Sequence, residues 1–267
     1  MTTLVLSLFP GIGLLDRAFE DEGFCVVRGP DLLWGGDVHR FHPPAGRFAG
    51  VIGGPPCQRF SRLAALVVHN GFELAPDLIP EFARVVREAE PAWFLMENVP
   101  AAPMPVLEHY PMRSVLFNNR WAGGEQNRVR RFTFGVRAMG RLMGPALLTA
   151  FERELRGQDV GFENIDYTPA VCASGSTWQP VRVGGSGKQK RKGRVYGDKS
   201  TTFLRQAIKA QGLPDDFDIP EFTVRGAIKA VGNGVPLPLG RAVARAVNAA
   251  LAPGDESLQR PVVPPAA

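Results

Sequence analysis

A cysteine stands directly behind two prolines in the stretch GGPPCQRFS, Gly53 to Ser61. Pro55 and Pro56 hold the backbone stiff and extended, so the Cys57 thiol projects from a rigid loop. A thiol in that position is a candidate nucleophile, given surroundings that favour the thiolate. In MENV (Met96–Val99), Glu97 and Asn98 end a strongly apolar run. A carboxyl at the mouth of an apolar strand can stay protonated and donate a hydrogen bond. QNRVRRF (Gln126–Phe132) spaces Arg128 and Arg130 so that, on extended backbone, both face one side. Two converging guanidinium groups suit a polar or anionic substrate.

Two further stretches suit ligand binding by backbone and carboxylate. LFPGIG (Leu8–Gly13) has glycines that let main-chain amides approach a ligand closely, although a plain strand–helix turn has the same composition. GGD (Gly35–Asp37) offers a carboxylate that can accept from an exocyclic amine or a ribose hydroxyl, or can cap a helix.

The elements that must position these groups follow from periodicity. Strands are expected at Leu4–Phe9, Phe24–Val27, Arg47–Ile52, Ala92–Asn98, Arg113–Phe117 and Arg131–Val136. Helices are expected at Leu14–Glu22, Ile79–Glu88, Thr201–Gln211 and Arg241–Leu251. Strands alternating with helices predict an α/β architecture with a mostly parallel sheet. The division expected is 1–136 as a catalytic domain, 137–200 as a small inserted region, 201–252 as a return to the catalytic domain, and a disordered tail over 253–267.

Composition narrows the class. A chain of 267 residues, 45% of them hydrophobic, can bury a sizeable core, and no apolar run reaches the length of a membrane span. The start of the chain lacks the basic region of a secretory signal, which points to a cytoplasmic protein. Cys25, Cys57 and Cys172 are odd in number and far apart, so neither a disulfide framework nor a metal site is expected. The net charge of +5 is concentrated in GGSGKQKRKGR, which carries Lys188, Lys190, Arg191 and Lys192. This is no phosphate-binding P-loop, because Gln189 stands where Ser or Thr would hold magnesium.

In order and spacing, these segments resemble the cytosine-5 DNA methyltransferases over most of the chain. SLFPGIG is similar to that family's first cofactor motif, GGD to its adenine-contacting motif, GGPPCQRFS to its nucleophile loop, MENV to its glutamate motif and QNRVR to its QxRxR motif. AVGNGVPLPLGRAVARAV (Ala230–Val247) resembles the last motif, which packs beside the first. The resemblance implies a Rossmann-like fold with helices on both faces of the sheet and a small target-recognition subdomain over 137–200. It implies transfer of a methyl group from S-adenosylmethionine (AdoMet) to C5 of a flipped-out cytosine in duplex DNA, through a covalent bond from Cys57 to C6. Glu97, Arg128 and Arg130 would serve the ring. The product would be S-adenosylhomocysteine (AdoHcy), without a metal.

For the cofactor, the resemblance carries over Phe9, Gly11, Ile12, Gly13, Asp37, Val38, Pro55, Leu78, Asn233 and Gly234. For DNA it gives Gln58 and Ser61 on the closing loop, and it gives the basic run at Lys188–Lys192 phosphates to contact. A monomer is expected, from a restriction–modification system or a solitary or phage-borne enzyme of bacterial type. The chain departs from the pattern at the end of the second strand, where the family's ribose-binding acid is replaced by Gly29 and Pro30, with Asp31 one place later. Ser7 stands where an Asp is common, and Leu14 where a Gly often follows Gly13. Alternative readings are a relative that transfers a different group from a modified AdoMet, an RNA-directed branch, and a silent DNA-binding relative.

Overall fold

The structure is a computed structural model and describes residues 4–61, 64–137, 168–169 and 201–251. Its centre is a six-stranded sheet in the order β2-β1-β3-β4-β7-β5. The strands are β1 (Leu4–Leu8), β2 (Cys25–Arg28), β3 (Gly50–Gly53), β4 (Trp93–Asn98), β5 (Met112–Asn118) and β7 (Val129–Val136). β1 pairs in parallel with both β2 and β3, and β3 in parallel with β4. β7 is antiparallel to both of its neighbours, β4 and β5. The mostly parallel sheet is therefore present, with a reversed strand inserted next to β4. A two-residue β6 (Gln126–Asn127) pairs with β8 (Thr168–Pro169).

Alternation along the strands divides the core. Val5, Ile52, Trp93, Leu95, Phe132 and Phe134 face α1 (Leu14–Asp21) and the final helix α6 (Leu237–Leu251). Leu6, Leu8, Val51, Phe94 and Met96 face α3 (Ile79–Ala89), which contributes Ile79, Phe82 and Val86. Helices thus cover both sides of the sheet, as buried parallel strands require. A third cluster joins α4 (Thr201–Ala210) to α5 (Val224–Asn233) through Phe203, Ala207, Ile228 and Val231.

Several differences from the expected elements have physical reasons. α5 was not expected, because Gly226 and Gly232 dilute its apolar stripe; Thr223 starts it by accepting from the Gly226 amide at 3.2 Å. α6 begins at Leu237 rather than Arg241, because Pro238 is tolerated in a first turn where its missing N–H would be unpaired anyway. A short helix α2 (Ala64–His69) follows the nucleophile loop. Between β2 and β3 there is no α-helix but two single 3-10 turns, Leu32–Trp34 and Val38–Arg40, capped by Asp31 and Asp37. Among the described residues no helix is long and apolar enough to cross a membrane, and no cluster of His, Cys, Asp and Glu could hold a metal ion.

β1 and β3 are neighbours, but the chain leaves them in opposite directions, β1 to β2 and β3 to β4. The crevice at their carboxyl ends is the switch point where open α/β sheets bind ligands. A buried polar pair lies at the foot of this crevice. Ser7 Oγ donates to Asp16 Oδ1 at 2.5 Å, and Arg28 Nε sits 3.1 Å from Asp16 Oδ2. A carboxylate thus lies beside position 7 all the same, on Asp16 of α1.

Burial pushes Asp16 from 3.8 up to about 6, against the opposing pull of Ser7 and Arg28. A raised acid holds its proton more tightly when folded, so this group's contribution to stability falls as pH rises from about 4 to about 6, by roughly 3 kcal/mol in all. Asp16→Asn should remove that component, visible as a smaller difference in denaturation midpoint between the two ends of that pH range than in the wild type.

Candidate active site

Cys57 sits where β3 runs out. The chain passes through Gly53, Gly54, Pro55 and Pro56, and Cys57 takes the bridge conformation (φ −91°, ψ −1°) that opens a 3-10 turn over Gln58–Phe60. Asn98 Nδ2 donates to the Pro55 carbonyl at 3.1 Å, which ties this loop to the end of β4. Gln58 is exposed, and Ser61 Oγ donates to the Gln58 carbonyl at 3.0 Å, bracing the same turn.

The register of β3 on β4 pairs Gly53 with Met96, so Gly54 and Glu97 come side by side. A Cβ at Gly54 would stand 3.0 Å from Glu97 Oε2, so glycine is what lets the carboxyl lie against the loop. Glu97 is nearly buried and pairs with Arg130, whose Nε is 2.9 Å from Oε1. The antiparallel register sets Glu97 opposite Phe132, which places Arg130 diagonally on the same face. Burial raises the Glu97 carboxyl above its usual range, opposed by the charges of Arg130 and Arg128. Burial also pushes the Cys57 thiol up, helped by Glu97 and opposed by Arg130 and Arg128. The resting thiol is therefore neutral and guarded.

The expected pair of arginines is divided in its contacts. Arg130 holds Glu97. Arg128, also buried, directs Nη2 to the carbonyls of Gly232 and Gly234 at 2.9 and 3.1 Å, while its charge still bears on Cys57 and Glu97. It thereby connects the substrate side to the last motif.

The opposite wall of the crevice is the turn after β1, where Phe9, Gly11 and Gly13 have φ of 55°, 56° and 79°. Left-handed backbone at the non-glycine Phe9 is strained, and such strain collects at ligand clamps. Both main-chain groups of Gly11 are held from the turn after β2. Its N–H donates to Asp31 Oδ2 at 2.8 Å, and its carbonyl accepts from Trp34 Nε1 at 2.7 Å. Asp31 Oδ1 also accepts from the Leu33 amide at 2.7 Å, so this carboxylate shapes the loop with both oxygens. Trp34, whose ring is tilted against that of Phe222 with centroids 5.9 Å apart, was missed in the sequence. The only hint there was the short spacing from Asp31 to Asp37.

Asp37 accepts from the His39 amide at 3.0 Å, the capping role its residue type allows. Val38 and Leu78 are buried together in the α3 cluster. Arg84, also missed, fixes this loop by donating to the carbonyls of Val38 (2.7 Å) and Phe41 (3.1 Å) while paired with Glu81 and Glu88, both at 2.8 Å. Ile12 packs toward α4 and α5. Gly234 lies against Leu14, so the segment after α5 does pack beside the glycine turn; Asn233 next to it is exposed. Lys188, Lys190, Arg191 and Lys192, with nearly all of 137–200, lie outside the described residues.

A family model for C-5 cytosine-specific DNA methylases matches residues 37–105, the span from Asp37 through Cys57 and Glu97. The type II methyltransferase M.NgoPII of Neisseria gonorrhoeae is 24% identical over 329 aligned residues, covering 92% of this chain and 96% of that relative. M.HgiDI of Herpetosiphon aurantiacus is 35% identical over 97 residues, a third of this chain. Among solved structures, a putative DNA modification methyltransferase of an Escherichia coli prophage superposes with a TM-score of 0.54 at 17% identity, over 92% of this chain and 99% of that one. S. pombe Dnmt2 methyltransferase gives 0.54 at 12%, over 92% and 97%. Sheet, crevice and neighbours together define the Rossmann-like fold of the methyltransferases it superposes on. The motifs and their matches go one step further: together they support the cytosine-5 DNA methyltransferase family for this chain.

The charges around the thiol make opposite predictions for its reactivity. Glu97→Gln should speed alkylation of Cys57 by iodoacetamide several-fold at neutral pH, and Arg130→Met should slow it, each read on the Cys57 peptide by mass spectrometry across pH.

Proposed function

We propose that this DNA cytosine-5 methyltransferase transfers a methyl group from AdoMet to C5 of a cytosine swung out of duplex DNA, through a covalent bond between Cys57 and C6. The observation that carries the reading is the meeting of Cys57, Glu97 and Arg130 at the carboxyl ends of β3 and β4. Cys57 attacks C6 as thiolate, and electron density moves through the ring toward N3 and O2. Glu97, a carboxylate paired with Arg130 at rest, is eased toward protonation by its burial and, once it has taken up a proton, donates to N3. Arg130, with the charge of Arg128 behind it, steadies the developing negative charge. After methylation, loss of the C5 proton and expulsion of the Cys57 thiolate restore the ring. The base is unreachable inside a duplex, so it must leave the stack. Gln58 and Ser61 are on the loop that would close over it.

The crevice suits the cofactor. A Cβ on Gly11 would meet nothing within 4 Å, so the turn faces open space at that residue, whereas Gly13 lies against the Arg28 guanidinium. That turn, with Phe9, Ile12 and Gly13, would hold the methionine end, Asp31 the ribose, and Asp37, Val38 and Leu78 the adenine. Pro55, Asn233 and Gly234 would complete the wall. When bound, AdoMet supplies an electrophilic methyl group. Residues 137–200 would serve target recognition, with the basic run on DNA phosphates.

Incubating the protein with mixed-sequence duplex DNA and AdoMet labelled in the methyl group should place label on C5 of cytosine, found by nucleoside analysis. Cys57→Ala should lower the rate by more than about a thousandfold, as when a nucleophile that works with partners is removed. Full activity in that variant overturns the covalent route. DNA binding without label transfer would favour the silent relative, and a heavier modified nucleoside in host-extract reactions would favour a modified donor. Replacing Lys188, Lys190, Arg191 and Lys192 with Ala should flatten the plot of log affinity against log salt by up to about 0.9 per lost phosphate contact.

A further inference from the structure

A fully buried glutamine stands between the two halves of the site. Gln211 follows α4, and its side chain reaches three segments. Nε2 donates to the Val231 carbonyl at 2.5 Å and the Gly234 carbonyl at 3.3 Å. Oε1 accepts from Gln126 Nε2 at 2.8 Å, and the same Gln126 group donates to the Ala210 carbonyl at 2.8 Å. The main-chain carbonyl of Gln211 accepts from the Leu237 amide at 2.8 Å, at the first residue of α6.

The link between α5 and α6 is therefore held at both ends by one residue. The last carbonyls of a helix have no partner within it, and buried ones must find a donor elsewhere. At the end of α5 the donors are Gln211 and Arg128, which share the Gly234 carbonyl as acceptor. Gly234 in turn lies against Leu14, the residue after the glycine turn. Gln126, two residues before Arg128, completes the connection.

We propose that Gln211 is a positioning residue that sets the cofactor wall at Asn233–Gly234 and fixes its place relative to Arg128. This rests on the reading of that wall given under Proposed function. The residue touches neither substrate nor cofactor, and acts through the carbonyls it holds.

AdoHcy binding to the full-length protein, measured by calorimetry, tests the assignment. Gln211→Met fills the space but removes one of the two donors on each of the Val231 and Gly234 carbonyls and the acceptor of Gln126, and should weaken AdoHcy by about tenfold or more. Gln211→Glu keeps the acceptor for Gln126 but offers a donor only while protonated. Its weakening relative to wild type should grow from about pH 6 to about pH 8. Gln211→Met binding with wild-type affinity overturns the proposal. So does a loss in Gln211→Glu that is flat with pH and equal to that in Gln211→Met, since that is mere loosening of the fold. Wild-type protein that binds no AdoHcy overturns the cofactor reading and this inference with it. A wild type that binds while Gln211→Met binds equally well overturns this inference alone.

Discussion

A carboxyl buried at the mouth of a sheet must be neutral or paired, and much of this structure follows from how Glu97 meets that demand. Its partner is Arg130, and Arg130 can reach it only because β7 enters the sheet beside β4 in reverse. That insertion carries Arg128 to the end of α5, and so brings the last part of the chain against the first. The same carboxyl needs a glycine opposite it, which the loop before Cys57 supplies at position 54. One unfavourable burial thus organises a strand, a turn and a helix end. Replacing the group by an apolar one would relax that demand but remove the proposed proton donor.

What the sequence revealed and what it hid separate along a physical line. The strands at Leu4–Leu8 and Trp93–Asn98 and the helix at Ile79–Ala89 were legible because hydrophobic burial leaves a periodic trace along the chain. Cys57 and Glu97 could each be read as standing just past an apolar run, and they come near each other because neighbouring parallel strands end together. The reversed insertion of β7 was not legible, because pairing between distant segments is decided by the whole sheet. Nor were Trp34, Arg84 and Gln211. Each acts by donating to main-chain carbonyls far away in sequence, and such a bond leaves no pattern in residue type. For the same reason the two arginines looked equivalent, although one grips a carboxylate and the other a helix end.

The cofactor side shows how a local shortening can be absorbed. With no full helix between β2 and β3, Asp31 and Trp34 hold Gly11 by both of its polar main-chain groups. Arg84 braces the next turn from the opposite face of the sheet. Side chains here do what an intervening helix would otherwise do by packing. The chain trades apolar area for directed bonds, which fix orientation more sharply than they add stability.

The guarded thiol has a meaning for the lifetime of the molecule. Oxidants and stray electrophiles react with thiolates, and a half-buried thiol beside a carboxylate presents little of that form. A protein that waits long between targets can then keep the sulfur proposed as its nucleophile reduced without a disulfide partner or a closed lid. Durability in the idle state and reactivity in the engaged state come from the same few charges, read before and after a base arrives.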